Sequence, residues 1–416
     1  MPKVTPFKAI RPIPELADRF CALPYDVYNR KEAKEIVLKD PISFLSIDRA
    51  ESAFDDSVDT YADEVYLKAK ELFESRIEDG TLIQDAVSSY YIYELTMNGR
   101  VQTGLVACSS VDDYVSCAIK KHENTREDKE IDRIRHVDTL NAHTGPIFLI
   151  YRAQSELKEI INSVKCNSEA VYDFTSEDGI RHRAFLINNK ETVGKIESIF
   201  DTIPCTYIAD GHHRCASAAK VGLKRRSENP NHNGSEGYNR FLSVLFPDDE
   251  LYIMPYNRVV KDICGMSTSE FIDKIKNSGF KVEKYNGEGA YEPTRKGEFG
   301  LFLDKSWYVL EAEESILSDD PVEGLDVSIL QNHLLGPLLK IEDPRRDKRI
   351  DFVGGIRGTR ELERRCENDM KIAFSMYPTS IDELLMVADA GLLMPPKSTW
   401  FEPKLRSGMF IHSLDD

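Results

Sequence analysis

The chain has 416 residues, 41 % hydrophobic and 30 % charged, the proportions of an ordinary globular protein long enough for two domains. Its 71 acidic against 54 basic side chains give a formal net charge of −17, which argues against a broad nucleic-acid or anionic-membrane surface. Any anionic ligand must be met by a local basic pocket. The eight cysteines lack paired spacing, which fits reduced thiols and not a disulfide framework. The N-terminus does not read as a signal peptide, and no apolar run approaches the roughly 20 residues that span a bilayer, so the expected location is the cytoplasm.

In chain order, residues 3–10 read as a strand, followed by a rigid turn at Pro24-Tyr25-Asp26-Val27. Asn29 is placed to N-cap a helix through Lys39, stopped by Pro41. Ser43 to Asp48 reads as a strand. Val58, Tyr61, Ala62, Val65, Leu72 and Phe73 recur at helical spacing, giving a helix from Val58 to Asp79. Tyr90 to Thr96 and Val101 to Ala107 flank Asn98-Gly99, a hairpin signal. A polar segment carries Lys120, Lys121, His122, Glu123, Asn124 and Thr125. The helix after it displays Asp132, Arg133, Arg135 and His136. This stretch is either a solvated loop with a charged helix face or a second wall of an active site.

Gly145-Pro146 introduces a strand to Tyr151, residues 154–164 read as a helix, and Asp178-Gly179 joins a second hairpin. A helix from Glu191 to Asp201 feeds a strand at Cys205 to Ile208. Residues 224–239, rich in Asn, Gly, Ser and Glu, are either a candidate lid or a plain disordered excursion. Strands at 241–246 and 251–255 close this half, with Arg258 just beyond. The expected architecture is mixed α/β, with a phosphate-binding domain over 1–255 and a smaller α+β domain over 256–416 closing a cleft. In the latter, helices are expected at Met266–Ser278 and Asp326–Leu334. The tail run Pro395-Pro396-Lys397-Ser398-Thr399-Trp400 cannot be a regular helix. Lys397, Ser398 and Thr399 are candidate anion contacts.

The centre of the chain is Ala209-Asp210-Gly211-His212-His213-Arg214, between the 205–208 strand and the small-residue helix Ala216 to Val221, with Gly222 as its expected C-cap. Strand, glycine turn and helix N-terminus leave free N–H groups pointing at an anion. Gly211 permits the sharp turn, and Arg214 adds a fork of donors. Asp210, His212 and His213 are groups that move protons near neutral pH. Consecutive imidazoles point apart, and no Cys-x-x-Cys or His-x-x-x-His spacing accompanies them, so structural zinc is not expected. Cys215, beside the turn, is either reactive or a small buried thiol.

The landmarks Pro24-Tyr25-Asp26-Val27, His122-Glu123-Asn124-Thr125 with Asp132-Arg133, Ala209 through Arg214, Pro396-Lys397-Ser398-Thr399, and Phe401 to Gly408 resemble, nearly end to end, the bacterial family labelled domain of unknown function 1015. The Asp-Gly-His-His-Arg motif is also similar to that of free-serine kinases of the ParB/sulfiredoxin superfamily. That resemblance implies a ParB/sulfiredoxin-like mixed-sheet core. It also implies a phosphotransferase that uses ATP or ADP with Mg2+ to phosphorylate a small hydroxyl compound such as free L-serine. It puts Asp210 and His213 at the reaction centre, with Asp210 also the candidate metal ligand. An upstream glutamate would be the base, with Glu123, Glu177 and Glu191 as candidates and Glu123 in the best chemical company. Nucleotide and phosphate contacts would then fall to Gly211, His212, Arg214, His122, Thr125, Arg133, Lys397, Ser398 and Thr399. Sulfiredoxins carry a cysteine where this chain has His212, which counts against sulfinic-acid chemistry, and the acidic balance disfavours the DNA binding of ParB-type proteins. Partners are therefore expected to be a nucleotide and a small-molecule substrate, with neither nucleic acid nor membrane. A non-catalytic nucleotide-responsive protein and a hydrolase of a phosphorylated metabolite are the competing readings.

Overall fold

A computed structural model describes residues 1–415. The chain is a mixed α/β protein made of two compact units. One is Met1–Leu251 together with the stretch from Pro403 onward, and the other is Tyr252–Glu402. Among the described residues, no helix is long and apolar enough to cross a membrane.

The first unit is built on a nine-stranded mixed sheet. Its strands are β1 (Val4–Thr5), β2 (Tyr90–Met97), β3 (Arg100–Ser110), β4 (Ile119–Lys120), β5 (Ile147–Tyr151), β6 (Tyr172–Thr175), β7 (Arg181–Ile187), β8 (Thr206–Asp210) and β9 (Arg240–Pro247). The order is β4-β8-β5-β9-β3-β2-β7-β6, with β1 on β3. Most neighbours are antiparallel, as the two hairpins require, but β4 runs parallel to β8 and β5 parallel to β9. The helices are α1 (Arg30–Lys39), α2 (Asp63–Glu78), α3 (Glu127–Leu140), α4 (Ser155–Asn167), α5 (Lys190–Phe200) and α6 (His212–Glu228). One core joins Ile147, Leu149 and Ile208 of the sheet to Cys215, Ala218 and Ala219 of α6 and to Ile196 and Phe200 of α5. The small side chains of α6 let its backbone lie close on the sheet, which fixes where its N-terminus emerges.

Several elements follow from local chemistry. Asn29 caps α1 in a full capping box with Glu32. Asn98 and Gly99 both take positive φ, 52° and 80°, as a two-residue hairpin turn demands. Residue 58 precedes α2 by a turn, because Asp55 and Asp59 hold residues 57 and 61 in Asx turns and delay the helix to Asp63. Val65, Ala69 and Phe73 then line its buried face.

Other stretches differ from the sequence expectation. Ser43 to Asp48 contains a helical turn, Leu45–Asp48, and no strand; a short, fully buried apolar run carries no period that separates the two. Residues 3–10 pair only at Val4–Thr5, at a bridge from Phe7 and from Ile10 onward. Helix α6 does not stop at Gly222 but runs to Glu228. Gly222 is there for space, since a Cβ would meet the Tyr238 carbonyl oxygen at 2.5 Å. Residues 224–228 are the end of α6. The rest of the candidate lid is pinned, with Glu236 accepting the Asn233 and Gly234 amides at 2.8 and 2.9 Å and Asn229 Nδ2 donating to Tyr238 Oη at 2.9 Å.

The second unit is a six-stranded antiparallel sheet. Its strands are β10 (Tyr256–Val260), β11 (Phe280–Lys284), β12 (Glu298–Leu303), β13 (Ser306–Ala312), β14 (Ile350–Gly354) and β15 (Ile372–Met376), in the order β11-β13-β12-β15-β10-β14. Helices Thr268–Asn277, Arg360–Asn368 and Ile381–Asp389 belong to the same unit. The Asp326 carboxylate is buried beneath it and accepts the Gly297 amide at 3.0 and 3.1 Å. Burial, aided by the nearby Glu383 charge, pushes Asp326 up to about 7.

Two stability predictions result. Gly222→Ala lowers unfolding free energy in urea, because overpacking costs about 1–3 kcal/mol against a helix-propensity gain of about 1 kcal/mol. Asp326 binds its proton more tightly folded than unfolded, so its contribution is complete below about pH 4 and is lost as pH rises towards 7. Relative to Asp326→Asn, the wild type therefore loses stability over that window by up to about 1.4 kcal/mol per pH unit, measured by denaturant unfolding.

Candidate functional site

At the end of β8 the pairing with β5 slips between Ile208 and Asp210, leaving Ala209 as an extra residue. Such a bulge re-aims the residue after it. Gly211 follows at φ 91°, ψ 30°, a left-handed conformation that turns the chain directly into α6. Asp210 Oδ1 accepts the Gly211 amide at 2.8 Å, and Oδ2 takes Lys404 Nζ at 2.8 Å. Burial alone would raise the Asp210 pKa. Lys404 and then Arg214 overcome it and hold the carboxylate well below the usual range. Its side chain is nonetheless 41 % exposed. The site thus presents a permanently charged carboxylate at a helix N-terminus, with an ammonium and a guanidinium beside it.

Arg214 Nη1 donates to the Pro146 carbonyl at 2.8 Å and lies over Gly145, where a Cβ would come within 3.1 Å of it. His212 turns inward. Burial, then repulsion from His122, pushes its pKa well down, so the ring is neutral. His213 Nε2 accepts the Arg126 amide at 2.9 Å, so a neutral ring carries its proton on Nδ1. Cys215 is fully buried, and its thiol is pushed well up, which makes it a packing residue.

The short parallel pairing of β4 with β8 carries residues 121–126 alongside the turn. His122 and His212 meet edge to face, ring centroids 4.5 Å apart, with the His122 amide 3.5 Å from His212 Nε2. Burial lowers His122 to about 4, offset in part by Asp210 and by a hydrogen bond to the Ile208 backbone. Its Nδ1 is buried without a hydrogen-bond partner, so the Ile208 carbonyl takes the Nε2 proton and Nδ1 remains a bare acceptor. Glu123 Oε2 is 3.9 Å from His212 Nδ1, and this side chain is 38 % exposed. Thr125 turns away and donates to Glu130, which also pairs with Lys220. The other two candidate glutamates lie on exposed ion pairs, Glu177 with Lys39 and Glu191 with Lys195.

Arg133 belongs to a neighbouring chamber. Its guanidinium stacks 3.9 Å from the Tyr25 ring centroid, pairs with Asp132 Oδ2 at 2.9 Å and stands 3.7 Å from Asp48. These residues and His136 border a cavity of about 320 Å³. Tyr25, Asp48, Arg133 and His136 also line a small gap whose far side is Gly145 and Arg214. Those four residues therefore line both the chamber and the gap beside the turn. Burial, then Arg133, lowers His136 to about 4, which leaves it neutral.

Lys397, Ser398 and Thr399 lie in the second unit. Ser398 Oγ donates to the Pro395 carbonyl at 2.6 Å, and Lys397 adopts φ 61°. Sequence reasoning gave no role to Lys404 or Asp48, whereas His136 was among the residues of the possible second wall. For Lys404 the signal was present, since it lies within the Phe401 to Gly408 landmark. Asp48 had none, being set in a run that reads as a strand. Among the described residues, no group of three or more His, Cys, Asp or Glu is arranged to hold a metal ion.

A strand–bulge–glycine turn with a charged acid, two inward imidazoles and flanking cations is the candidate site of this mixed α/β protein. The chain belongs to the family described as "Protein of unknown function (DUF1015)", which matches residues 4–328. No curated protein matches it. Among solved structures it is similar to a free serine kinase in complex with AMP, at 15 % identity and TM-score 0.34, over 72 % of this chain and 86 % of that one. It is also similar to a conserved hypothetical protein from Pyrococcus furiosus (16 %, TM-score 0.36, 75 % and 96 %). A third is SbnI with a C-terminal truncation from Staphylococcus aureus (10 %, TM-score 0.38, 71 % and 82 %).

Proposed function

We propose that the chain is a small-molecule kinase that transfers a phosphoryl group from ATP or ADP to the hydroxyl of a small metabolite such as free L-serine. The observation that carries this reading is the Asp210–Gly211 turn: a left-handed glycine opening a 17-residue helix, with Arg214 and Lys404 beside its carboxylate. In this reading the first amides of α6 and Arg214 hold the nucleotide phosphates. Lys404 steadies Asp210 and then counters charge on the moving phosphoryl group. Glu123 takes the acceptor's hydroxyl proton, as a part-exposed carboxylate 3.9 Å from His212 Nδ1. His213 positions residues 121–126 through the Arg126 amide, since that bond occupies its Nε2 lone pair. The chamber beside Tyr25 and Arg133 gives the acceptor its volume.

The implied magnesium ion fits one arrangement. Asp210 is a single carboxylate with each oxygen already holding one donor, which suits an ion carried in on nucleotide phosphates and completed by water. Bound there, it would neutralise phosphate charge. Phosphoryl transfer otherwise needs chiefly positioning and charge stabilisation.

The test is phosphorus NMR of purified protein with ATP or ADP, Mg2+ and L-serine, then a panel of small hydroxyl compounds. A new phosphomonoester resonance is expected. Nucleotide binding without turnover, or phosphate released only to water, overturns the kinase reading. Glu123→Gln should cut kcat by about 10²–10⁴-fold with the melting temperature unchanged. Arg214→Lys should raise KM for the nucleotide, because an ammonium lacks the bidentate fork.

A further inference from the structure

Asp48 stands inside the 320 Å³ chamber with its side chain 4 % exposed. Among the described residues, no group donates a hydrogen bond to its carboxylate. Arg133 Nη1 and His136 Nε2 each stop 3.7 Å from Oδ1, outside hydrogen-bond reach. The other buried acids of the chamber are satisfied. Glu51 takes Arg49 Nε at 2.6 Å, and Asp132 takes Tyr66 Oη at 2.8 Å and Arg133 Nη2 at 2.9 Å. Arg133 is thus committed to Asp132, and burial holds His136 neutral. A carboxylate out of water without donors is costly, so Asp48 leaves the chamber one acceptor that a ligand completes.

Charge decides which donor fits. With the exposed Asp26 and the half-buried Lys129 included, the chamber is lined by four carboxylates against three cations, one negative charge in excess. We propose that the chamber binds a small hydroxylated amine, an amino alcohol or an amino sugar, with its ammonium on Asp48. An ammonium supplies three donors and the missing positive charge. A neutral polyol lacks that charge, and the carboxylate of an amino acid such as L-serine cancels it. Tyr28 and Tyr61 line the same chamber and offer ring surface to the ligand's carbons. At roughly 30 Å³ per water the chamber has room for about ten, enough for a ring-sized amine. An amine held as an ammonium has no lone pair, so phosphoryl transfer falls to the ligand's hydroxyl. The hydroxyl oxygen bonds phosphorus, the nucleotide leaves one phosphate shorter, and the proton goes to Glu123. That the amine is the acceptor rests on the kinase reading, whereas its binding at Asp48 does not.

The experiment is calorimetric titration of the full chain near neutral pH, without nucleotide, with ethanolamine, glucosamine, the N-acetyl form of each, and L-serine. Saturable binding of ethanolamine or glucosamine is expected, about tenfold or more tighter than that of its N-acetyl form or of L-serine. The tighter of the two amines identifies the source. Asp48→Asn keeps the shape and removes the charge, and should weaken the amine by about tenfold or more. The N-acetyl forms keep the skeleton and lose the ammonium, so they carry the test even if Asp48→Asn does not fold. Amine binding with no phosphomonoester in the NMR assay keeps this site and removes the kinase. Phosphomonoester formed on L-serine with no amine binding does the reverse. No binding of either amine, equal binding of L-serine or of the N-acetyl forms, or binding unchanged in Asp48→Asn overturns the proposal, leaving Asp48 as the acid that orients Arg133 and His136.

Discussion

The Asp210 carboxylate is shared between the amide of Gly211 and the ammonium of Lys404, and the site depends on that sharing. The first bond holds the left-handed turn in register with the helix. The second fastens the C-terminal stretch to a strand 194 residues earlier in the chain. The same stretch pairs at Ala22 with Ser407, at Ile10 with Ile411 and along Ala142–His143 with His412–Ser413. Arg406 anchors it further through Asp178, Ser176 and His182. A cation delivered by so many contacts is pre-positioned beside the Asp210 carboxylate.

The histidines divide into two kinds. His212, His122 and His136 are buried and neutral, so they serve as shape and as hydrogen-bonding surface. His213 is part-exposed, yet its Nε2 is occupied by a backbone amide. The motif's two imidazoles therefore both lean on the 121–126 segment, His212 through the His122 amide and His213 through the Arg126 amide. This division follows from burial and hydrogen-bond direction, which residue identity alone does not encode.

Local signals were legible in the sequence where the determining physics is local. Asn98-Gly99 and Asp178-Gly179 form hairpins, Asn29 caps a helix, and the mixed α/β class follows from alternating strand and helix periods. The strand–glycine–helix turn was readable for the same reason, since its three parts are consecutive. The 121–126 segment stood balanced between loop and second wall because what sets it alongside the turn is the two-residue pairing of β4 with β8, across 87 residues of chain. The Tyr25–Arg133–Asp48 chamber was only half readable. Tyr25 and Arg133 are landmarks of the family resemblance, but a ring stacked on a guanidinium 108 positions away leaves no period to detect. Gly222 was misread because a glycine near a helix end suggests a cap, whereas here it admits a carbonyl from a distant turn.

The overall charge of −17 and the cationic turn are consistent with each other. Most lysines and arginines of the chain are committed to carboxylates at close range, and the surplus acids face solvent. Arg214 and Arg258 stand apart, each donating to main-chain carbonyls. A guanidinium braced by carbonyls keeps its full positive charge and a fixed orientation, whereas one paired to a carboxylate is already neutralised. In a protein whose net charge repels anions at long range, any attraction on an anion has to come from such groups at short range, where screening by salt is weakest.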